Sequence, residues 1–225
     1  HRGCAVCNQL PGRLREPSPT WHIGKMLPKS MSSKQEREAA PIEELTVATH
    51  GNIVNWTLVR PHRRNSLSPS LVPTLRAALS SIPPTARCLV FRAAPVEKEG
   101  SPHATWMAGG DLKELAALDA QEGAKFAADM TILCRQISEL NIPTICAIDG
   151  AAIGGGVEWS LAFDIRMATE RSLFDFAQLR IGLCSGFGGG QRLVNLLGGS
   201  RATSLLLLSE VLAADEAQRI GLVHR

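Results

Sequence analysis

The sequence predicts an α/β protein in which short, mostly parallel strands alternate with helices. Apolar runs of about five residues, at 88–92 and 144–148, lack polar alternation, which is typical of strands buried on both faces. Stretches with apolar residues three or four positions apart follow such runs and indicate helices. Glycine-dense turns lie between several of these elements, at no fixed period, so a solenoid is not expected.

Composition and charge narrow the class of protein. The chain has 225 residues, of which 44% are hydrophobic and 20% are charged, values typical of a globular protein with one sizeable core. No apolar run approaches the roughly 18 residues that would span a membrane. Residues 1–40 hold seven Lys/Arg and three Glu, whereas the other 185 residues hold 17 basic and 18 acidic side chains. A nearly neutral body makes a nucleic-acid-binding surface there unexpected.

Residues 1–41 are predicted to form a basic leader, and residues 42–225 a folded domain. The leader lacks apolar periodicity and the apolar centre of a signal peptide, so disorder is the preferred interpretation. Its Arg and Ser content also resembles a mitochondrial transit peptide, although Glu36 and Glu38 interrupt that pattern. A mitochondrial location is therefore the prediction, with the cytoplasm as the alternative.

The first elements of the domain follow from short local signals. Two β-rich runs at 45–50 and 53–58 are joined at Gly51-Asn52, which predicts a hairpin. A basic connector at 60–67 follows, either a solvated loop or a contact for phosphates. The Leu spacing over 69–80 predicts a helix.

A second group of elements lies between the strands at 88–92 and 144–148. Residues 93–105 are expected to form a loop, and the glycine turn at 106–110 to open into a helix with Asp111 as its N-cap. A long helix is expected at 122–140.

The rest of the domain repeats the alternation. Strands are predicted at 164–168, 172–176 and 221–223, a third glycine turn at 181–190, and helices at 191–197, 201–208 and 213–220.

The stretch at 147–162 carries the strongest chemical signal. It combines an apolar strand, the glycines at 154–156 and the start of a helix. Consecutive glycines cost conformational entropy, which indicates that something approaches the backbone closely. Free N–H groups at a helix N-terminus suit an oxygen that is or becomes negative. Glu158 lies on the first helical turn, where a carboxylate is either a cap or a chemical group.

Several familiar motifs are excluded. No glycine loop ends in Gly-Lys-Ser/Thr, Ser185 does not stand in a Gly-x-Ser-x-Gly elbow, and no His-Glu-x-x-His is present. Cys4-x-x-Cys7 has no second ligand pair, so no metal site is predicted. The other four cysteines are expected to be buried, reduced thiols: Cys88, Cys134, Cys146 and Cys184. What remains is a pair of glycine turns whose N–H groups can converge on one oxygen as an oxyanion hole.

Several spaced motifs resemble the enoyl-CoA hydratase/isomerase family, the crotonases. They are the segments at 107–115, 150–158, 163–166 and 182–193, together with the opening hairpin and the connector at 60–67. The resemblance covers about residues 43–225. It implies a spiral of ββα units and a coenzyme A thioester as substrate, with no cofactor apart from the coenzyme A of that substrate. It also implies a homotrimer or hexamer, assembled with further C-terminal helices. No such helices follow Arg225, so we expect the sequence to be truncated.

The resemblance also implies roles for individual residues. The N–H groups of Ala108 and Gly155 are the implied oxyanion donors, and Glu158 is the implied acid/base or substrate-positioning group. The expected substrate-binding residues are Met107, Gly109, Asp111, Gly154, Gln178 and Asn65.

One position departs from the pattern of the family. Hydratases pair two glutamates, and the second should stand at position 178, where this chain has Gln. An amide has no titratable proton at neutral pH, so two-carboxylate hydration is in doubt. A single glutamate resembles the branch that decarboxylates methylmalonyl- or ethylmalonyl-CoA. The prediction is thus an acyl-CoA lyase, either decarboxylase or weak hydratase, with Asp175 as a possible substitute acid. The alternative is a catalytically weakened acyl-CoA-binding or assembly protein.

Overall fold

Two β-sheets organise the part of the chain that the structure, a computed structural model, describes: residues 44–97 and 103–225. The five-stranded sheet has the order β1-β2-β3-β5-β7 and the four-stranded sheet the order β4-β6-β8-β9. The leader predicted at 1–41 and the Cys4-x-x-Cys7 pair lie outside these residues. The prediction of an α/β fold with mostly parallel strands is confirmed.

In each sheet, the pair of strands at one edge is antiparallel, and the other neighbouring strands are parallel. In the larger sheet, β1 and β2 form the predicted hairpin, and the remaining neighbours are parallel. In the smaller sheet, the antiparallel pair is β8 and β9. The strands of the first sheet are β1 (Leu45–His50), β2 (Ile53–Leu58), β3 (Cys88–Ala93), β5 (Thr144–Ile148) and β7 (Ile165–Ala168). Those of the second are β4 (Thr105–Met107), β6 (Ala151–Ile153), β8 (Leu173–Asp175) and β9 (Val211–Ala213).

The chain passes repeatedly from the first sheet to the second, as β3 to β4, β5 to β6 and β7 to β8, which is the ββα spiral that the resemblance implied. The step from β5 to β6 takes only two residues and depends on Gly150. Its φ is +116°, and a Cβ there would lie 2.5 Å from the carbonyl oxygen of Ala104. Sequence analysis missed the three-residue strands β4, β6 and β9, which lie beside glycine turns or helices and show no period of their own, although it did predict β8, which is equally short.

Helices connect the strands, and most lie close to the predicted ranges. They are α1 (Val72–Ser80), α2 (Leu112–Leu115), α3 (Ala120–Ser138), α4 (Gly155–Ser160), α5 (Gly189–Leu197), α6 (Gly199–Leu207) and α7 (Ala214–Arg219). The long helix α3 begins before the predicted residue 122 because Asp119 and Glu122 form a capping box. The strand predicted at 221–223 is wrong: the chain there turns, and only the next residues reach β7, through the N–H of His224 and the carbonyl of Arg225.

An aromatic cluster underlies α4. The ring of Phe91 packs 5.9 Å from that of Trp106 and 5.5 Å from that of Trp159, edge to face in both cases. All three side chains are fully buried. This packing fixes the helix that carries Glu158 against the first sheet.

The cysteine prediction is correct for two of the four residues. Cys134 and Cys146 are buried, and burial raises the pKa of the Cys134 thiol to about 12. Cys88 is only partly buried, and Cys184 is exposed because the glycine turn that holds it lies at the surface. None of the helices in the described ranges is long and apolar enough to cross a bilayer.

Candidate active site

The two glycine turns meet where β4 and β6, neighbours in the second sheet, end. Gly154 stands between β6 and α4 with φ +51° and ψ −112°, a combination that favours glycine, and its N–H donates to the carbonyl of Asp175 at 2.8 Å. A Cβ on Gly156 would lie 2.7 Å from the carbonyl oxygen of Met107. The helix α4 therefore packs directly against the end of β4.

The first turn is shaped by an equally close approach. Gly109 has φ +87°, and a Cβ there would lie 2.6 Å from the carbonyl oxygen of Ile153 and 3.1 Å from the nitrogen of Gly155. Asp111 then caps α2, as the sequence predicted, by accepting the N–H groups of Lys113 and Glu114. The two turns are in contact, which is the arrangement that a shared oxyanion hole requires.

Three N–H groups at this junction donate in no hydrogen bond between residues of the described ranges, namely those of Gly109, Gly110 and Gly155. The Gly110 nitrogen lies 3.4 Å from where a Cβ on Gly155 would stand, so these two groups are close together. The N–H of Ala108, which the resemblance implied as an oxyanion donor, donates to the carbonyl of Arg64 at 3.0 Å. Its role as a donor stays a prediction, and Gly110, in the same turn, is a second candidate that sequence reasoning did not consider.

The connector before α1 explains why Ala108 is occupied. Arg64 and Asn65 both have positive φ, 50° and 53°, which turns the carbonyl of Arg64 toward the first glycine turn. The fully buried Asn65 side chain holds this turn: its Nδ2 donates to the carbonyls of Ala94 (2.7 Å) and Trp106 (2.9 Å), and its Oδ1 accepts the N–H of Arg60.

The expected substrate-binding residues have the following surroundings. Asn65 links backbone segments, the Met107 side chain is fully buried in the core, and Asp111 is a buried helix cap. Gly109 and Gly154 lie in the two glycine turns themselves. The binding roles of these five residues stay predictions.

Glu158 is buried, with 4% of its surface exposed, and its carboxylate accepts from five donors. Oε2 accepts the Ser185 hydroxyl at 2.6 Å and the N–H groups of Phe187 and Gly189 at 2.9 and 3.1 Å. Oε1 accepts Gln178 Nε2 at 3.1 Å and the N–H of Gly186 at 3.4 Å. Because every partner donates, the cluster suits an acceptor, as an ionised carboxylate is.

The third glycine turn makes this arrangement possible. A Cβ on Gly189, the first residue of α5, would lie 2.6 Å from the Cβ of Glu158 and 2.8 Å from its Oε2. Only a glycine lets the N-terminus of α5 approach the carboxylate so closely. The sequence indicated the turn but not its partner, which is 31 residues away.

Gln178 lies beside Glu158, at the position where the resemblance placed a second carboxylate. Its side chain is buried, with 7% exposed, and Nε2 is committed to Glu158. Oε1 is buried and accepts no hydrogen bond from any described residue. The site therefore holds one carboxylate and one neutral amide. The carbonyl oxygen of that amide can still accept a hydrogen bond.

Asp175 does not supply the missing acid. Both of its carboxylate oxygens accept from the same nitrogen of Arg180, Nη2, at 2.5 and 2.6 Å, in an ion pair. Its role is to close the turn after β8.

A pocket of about 490 Å³ adjoins this cluster. Gln178 and Ser185 line it on the polar side, and Leu179, Val194 and Leu206 on the apolar side. Gly110 and Gly155 are not among its lining residues, so it lies beside the carboxylate and not over the free N–H groups. Among the described residues, no group of three or more His, Cys, Asp or Glu side chains is placed to hold a metal ion.

Comparison with known proteins gives a consistent result. The family model described as enoyl-CoA hydratase/isomerase matches residues 48–225. The chain is 32% identical over 195 residues to a human mitochondrial methylglutaconyl-CoA hydratase, covering 86% of this chain. It is 30% identical over 184 residues to a short-chain-enoyl-CoA hydratase of Clostridium acetobutylicum, covering 82% of this chain.

Solved structures show the same similarity. An enoyl-CoA hydratase from Bacillus anthracis superimposes with a TM-score of 0.74 at 31% identity, over 81% of this chain and 69% of its own. A Thermobifida fusca protein in complex with acetoacetyl-CoA superimposes with a TM-score of 0.70 at 26% identity, over 81% of this chain and 72% of its own. The chain spans 54% of the length of the human relative and 69% of the clostridial one.

Proposed function

The chain belongs to the enoyl-CoA hydratase/isomerase family, and from that premise we propose that it adds water to an enoyl-CoA thioester. The observation that carries the proposal is the junction of the two glycine turns. Two adjacent N–H groups, of Gly110 and Gly155, are free there, and the buried Glu158 stands one helical turn beyond the second. Such a junction suits a reaction that builds negative charge on a carbonyl oxygen next to a proton acceptor.

In the proposed reaction the thioester oxygen accepts both N–H groups. Each donor stabilises the transition state by about 3 kcal/mol, since it is already in place when the charge develops. Glu158 takes a proton from water, the water oxygen bonds to carbon 3, and the double-bond electrons pass to the thioester as an enolate. A proton then reaches carbon 2 and gives the 3-hydroxyacyl thioester.

Gln178 determines how well this reaction proceeds. The amide has no proton to transfer, so Glu158 must both take the proton of water and return one to carbon 2. In the proposed reaction the Oε1 of Gln178, which accepts no hydrogen bond from a described residue, accepts one from the water. We therefore expect hydration with one acid/base group in place of two, at a reduced rate.

The same observation favours a second candidate, decarboxylation of a malonyl-type thioester. Cleavage of the bond between carbon 2 and the carboxylate releases CO₂ and leaves its electron pair as the enolate. The oxyanion hole then does most of the stabilising, and a single group is enough to handle the proton. A neutral amide at 3.1 Å from Glu158 avoids placing a second negative charge beside a substrate carboxylate.

Turnover on two substrates side by side tests both candidates. The purified chain is assayed with crotonyl-CoA, followed by loss of the enoyl absorbance, and with ethylmalonyl-CoA, followed by CO₂ release, each with Glu158→Gln as control. Hydration lost in the control supports the first candidate, and CO₂ release lost in the control supports the second. Binding of both thioesters without turnover would contradict both and indicate an acyl-CoA-binding or assembly protein.

Location and assembly are further proposals. Names of the human and rat relatives place those proteins in mitochondria, which supports a mitochondrial location for this chain over a cytoplasmic one. Residues 1–41 fused to a fluorescent protein should then direct it to mitochondria.

A trimer or hexamer is supported by large apolar side chains exposed near the third glycine turn, such as Ile181 and Leu183. Light scattering after size-exclusion chromatography measures the assembled mass.

A further inference from the structure

The two oxygens of the Glu158 carboxylate have unlike surroundings. Oε2 has three donors within 3.1 Å, from Ser185, Phe187 and Gly189. Oε1 has only two, at 3.1 Å to the amide of Gln178 and 3.4 Å to the N–H of Gly186, and neither is as short as the two shortest contacts of Oε2. A proton can be accepted only where a donor gives way, and Oε1, with fewer donors and no short contact, gives way more easily.

Ser185 makes the shortest of these contacts, and its own environment directs its proton. Its Oγ accepts the N–H of Gly190, in the first turn of α5, at 2.7 Å. With that lone pair occupied, its single O–H is directed at Glu158 Oε2, 2.6 Å away. The hydroxyl thus connects the positive end of α5 to one oxygen of the carboxylate.

We propose that Ser185 is a positioning residue, which anchors Oε2 of Glu158 and leaves Oε1 as the oxygen that exchanges protons with the substrate. The terminal torsion of a Glu side chain is broad and roughly two-fold, so an unanchored carboxylate exchanges its oxygens. Three donors on one oxygen remove that freedom. This role of Ser185 rests on the proposed function, since proton exchange at Oε1 presupposes that Glu158 acts on a thioester.

Kinetics of three variants separate positioning from general support of the loop. Ser185→Ala removes the hydroxyl and Ser185→Thr retains it. Ser204→Ala is the matched control, since it removes a serine hydroxyl that donates to a different carboxylate, that of Glu210, at 2.7 Å. Steady-state kcat and KM are measured for whichever thioester the wild-type chain turns over.

The hydroxyl donates to a charged group, so its loss should lower kcat by about tenfold or more, with KM changed less than about twofold. Ser185→Thr should stay within about threefold of the wild type, and Ser204→Ala should not change kcat. Equal losses in the Ala and Thr variants, or a wild-type kcat in Ser185→Ala, would overturn the proposal.

A measurement that needs no turnover keeps this test separate from the proposed function. Urea unfolding of Ser185→Ala, Glu158→Ala and the double variant forms a double-mutant cycle. The proposal expects the unfolding equilibrium constants to show a coupling of about tenfold between the two residues. Additive effects would show that the hydroxyl does not hold the carboxylate and would overturn the proposal. If the coupling is present and no thioester is turned over, the anchor stands and it is the proposed function that fails.

Discussion

Glu158 and Asp111 are both buried carboxylates that follow a glycine turn at the start of a short helix, yet their surroundings differ. Asp111 accepts two N–H groups of its own helix, at positions two and three residues on. It also accepts the Ser66 hydroxyl at 3.1 Å and lies 3.7 Å from the guanidinium of Arg63. Glu158 accepts from donors 20 to 31 residues further along, and within the described ranges it forms no ion pair.

The difference separates a carboxylate that caps its own helix beside a cation from one that is held by distant, neutral donors. Burial alone would raise the pKa of Asp111, but the Glu114 N–H, the Ser66 hydroxyl and the Arg63 charge together lower it below its ordinary value. Its charge is thereby committed to capping α2. Glu158 is held by neutral donors, and no cation in the described part of the chain pairs with it, which suits the acid/base role proposed for it.

The largest expected effect separates the two residues by activity. Glu158→Gln should lower kcat by about 10²- to 10⁴-fold, the usual worth of a general acid/base, while acetyl-CoA still binds. Asp111→Asn should lower stability but leave kcat within a few-fold wherever the chain is folded. The measurements are turnover, and thioester binding by calorimetry at a temperature where circular dichroism shows both variants folded. Equal losses of kcat would contradict the distinction.

The next effect concerns the closeness of α5 to Glu158. Gly189→Ala should cost about 1–3 kcal/mol of unfolding free energy, because its Cβ would overlap the side chain of Glu158. Gly199→Ala is the matched control: Gly199 also opens a helix, and an added Cβ there meets no atom within 4 Å. Urea denaturation gives both values. If Gly189→Ala were as stable as the control, the N-terminus of α5 would not pack as closely against Glu158 as described.

Acid titration should reveal the ionised cap. Because the folded-state pKa of Asp111 is lowered, its stabilisation is complete above its unfolded-state value, near 3.8, and is lost as the pH falls through the folded-state pKa. Asp111→Asn should therefore be less stable than the wild type by about 1 kcal/mol at pH 7, and the gap should narrow below pH 4. Urea midpoints at a series of pH values measure this gap. A gap that stayed constant down to pH 3 would contradict an ionised cap.

The smallest effect tests the cation at Asp111. Arg63 is half-buried at 3.7 Å, so Arg63→Ala should cost less than about 1 kcal/mol, and the loss should shrink at high salt. Ser66→Ala, which removes a buried hydroxyl donor, should cost about as much or more without depending on salt. Unfolding at low and high NaCl compares them. A larger, salt-sensitive loss for Arg63→Ala would mean that the ion pair dominates the cap.

The two carboxylates also show what the sequence could predict. Asp111 lies within four residues of the N–H groups that it caps, so the local sequence pattern identified the cap. The glycine turns, the hairpin and the longer strands were likewise predictable, because local periodicity or turn chemistry encodes them. The short strands β4 and β6, which bring the two turns together, carry no period of their own.

The partners of Glu158 were not predictable by the same reasoning. Ser185 and Gly189 meet it only through the tertiary fold, and nothing in the third glycine turn specifies a distant carboxylate. The hydrogen bond from Ala108 to the carbonyl of Arg64 was unpredictable for a similar reason, since it depends on the positive φ of Arg64. Family resemblance placed Glu158 and Gln178 correctly relative to each other, but not their hydrogen bonds.

In the proposed hydration, Glu158 is the one acid/base group of the site because Gln178 is an amide. The variant Gln178→Glu is the sharpest test, since it adds a second carboxyl within hydrogen-bonding distance of the first. Crotonyl-CoA hydration by this variant should rise about tenfold or more, since the new group can return a proton to carbon 2. A fall in hydration below the wild-type rate, in a variant that remains folded, would show that the amide itself is required and that Glu158 does not act as proposed.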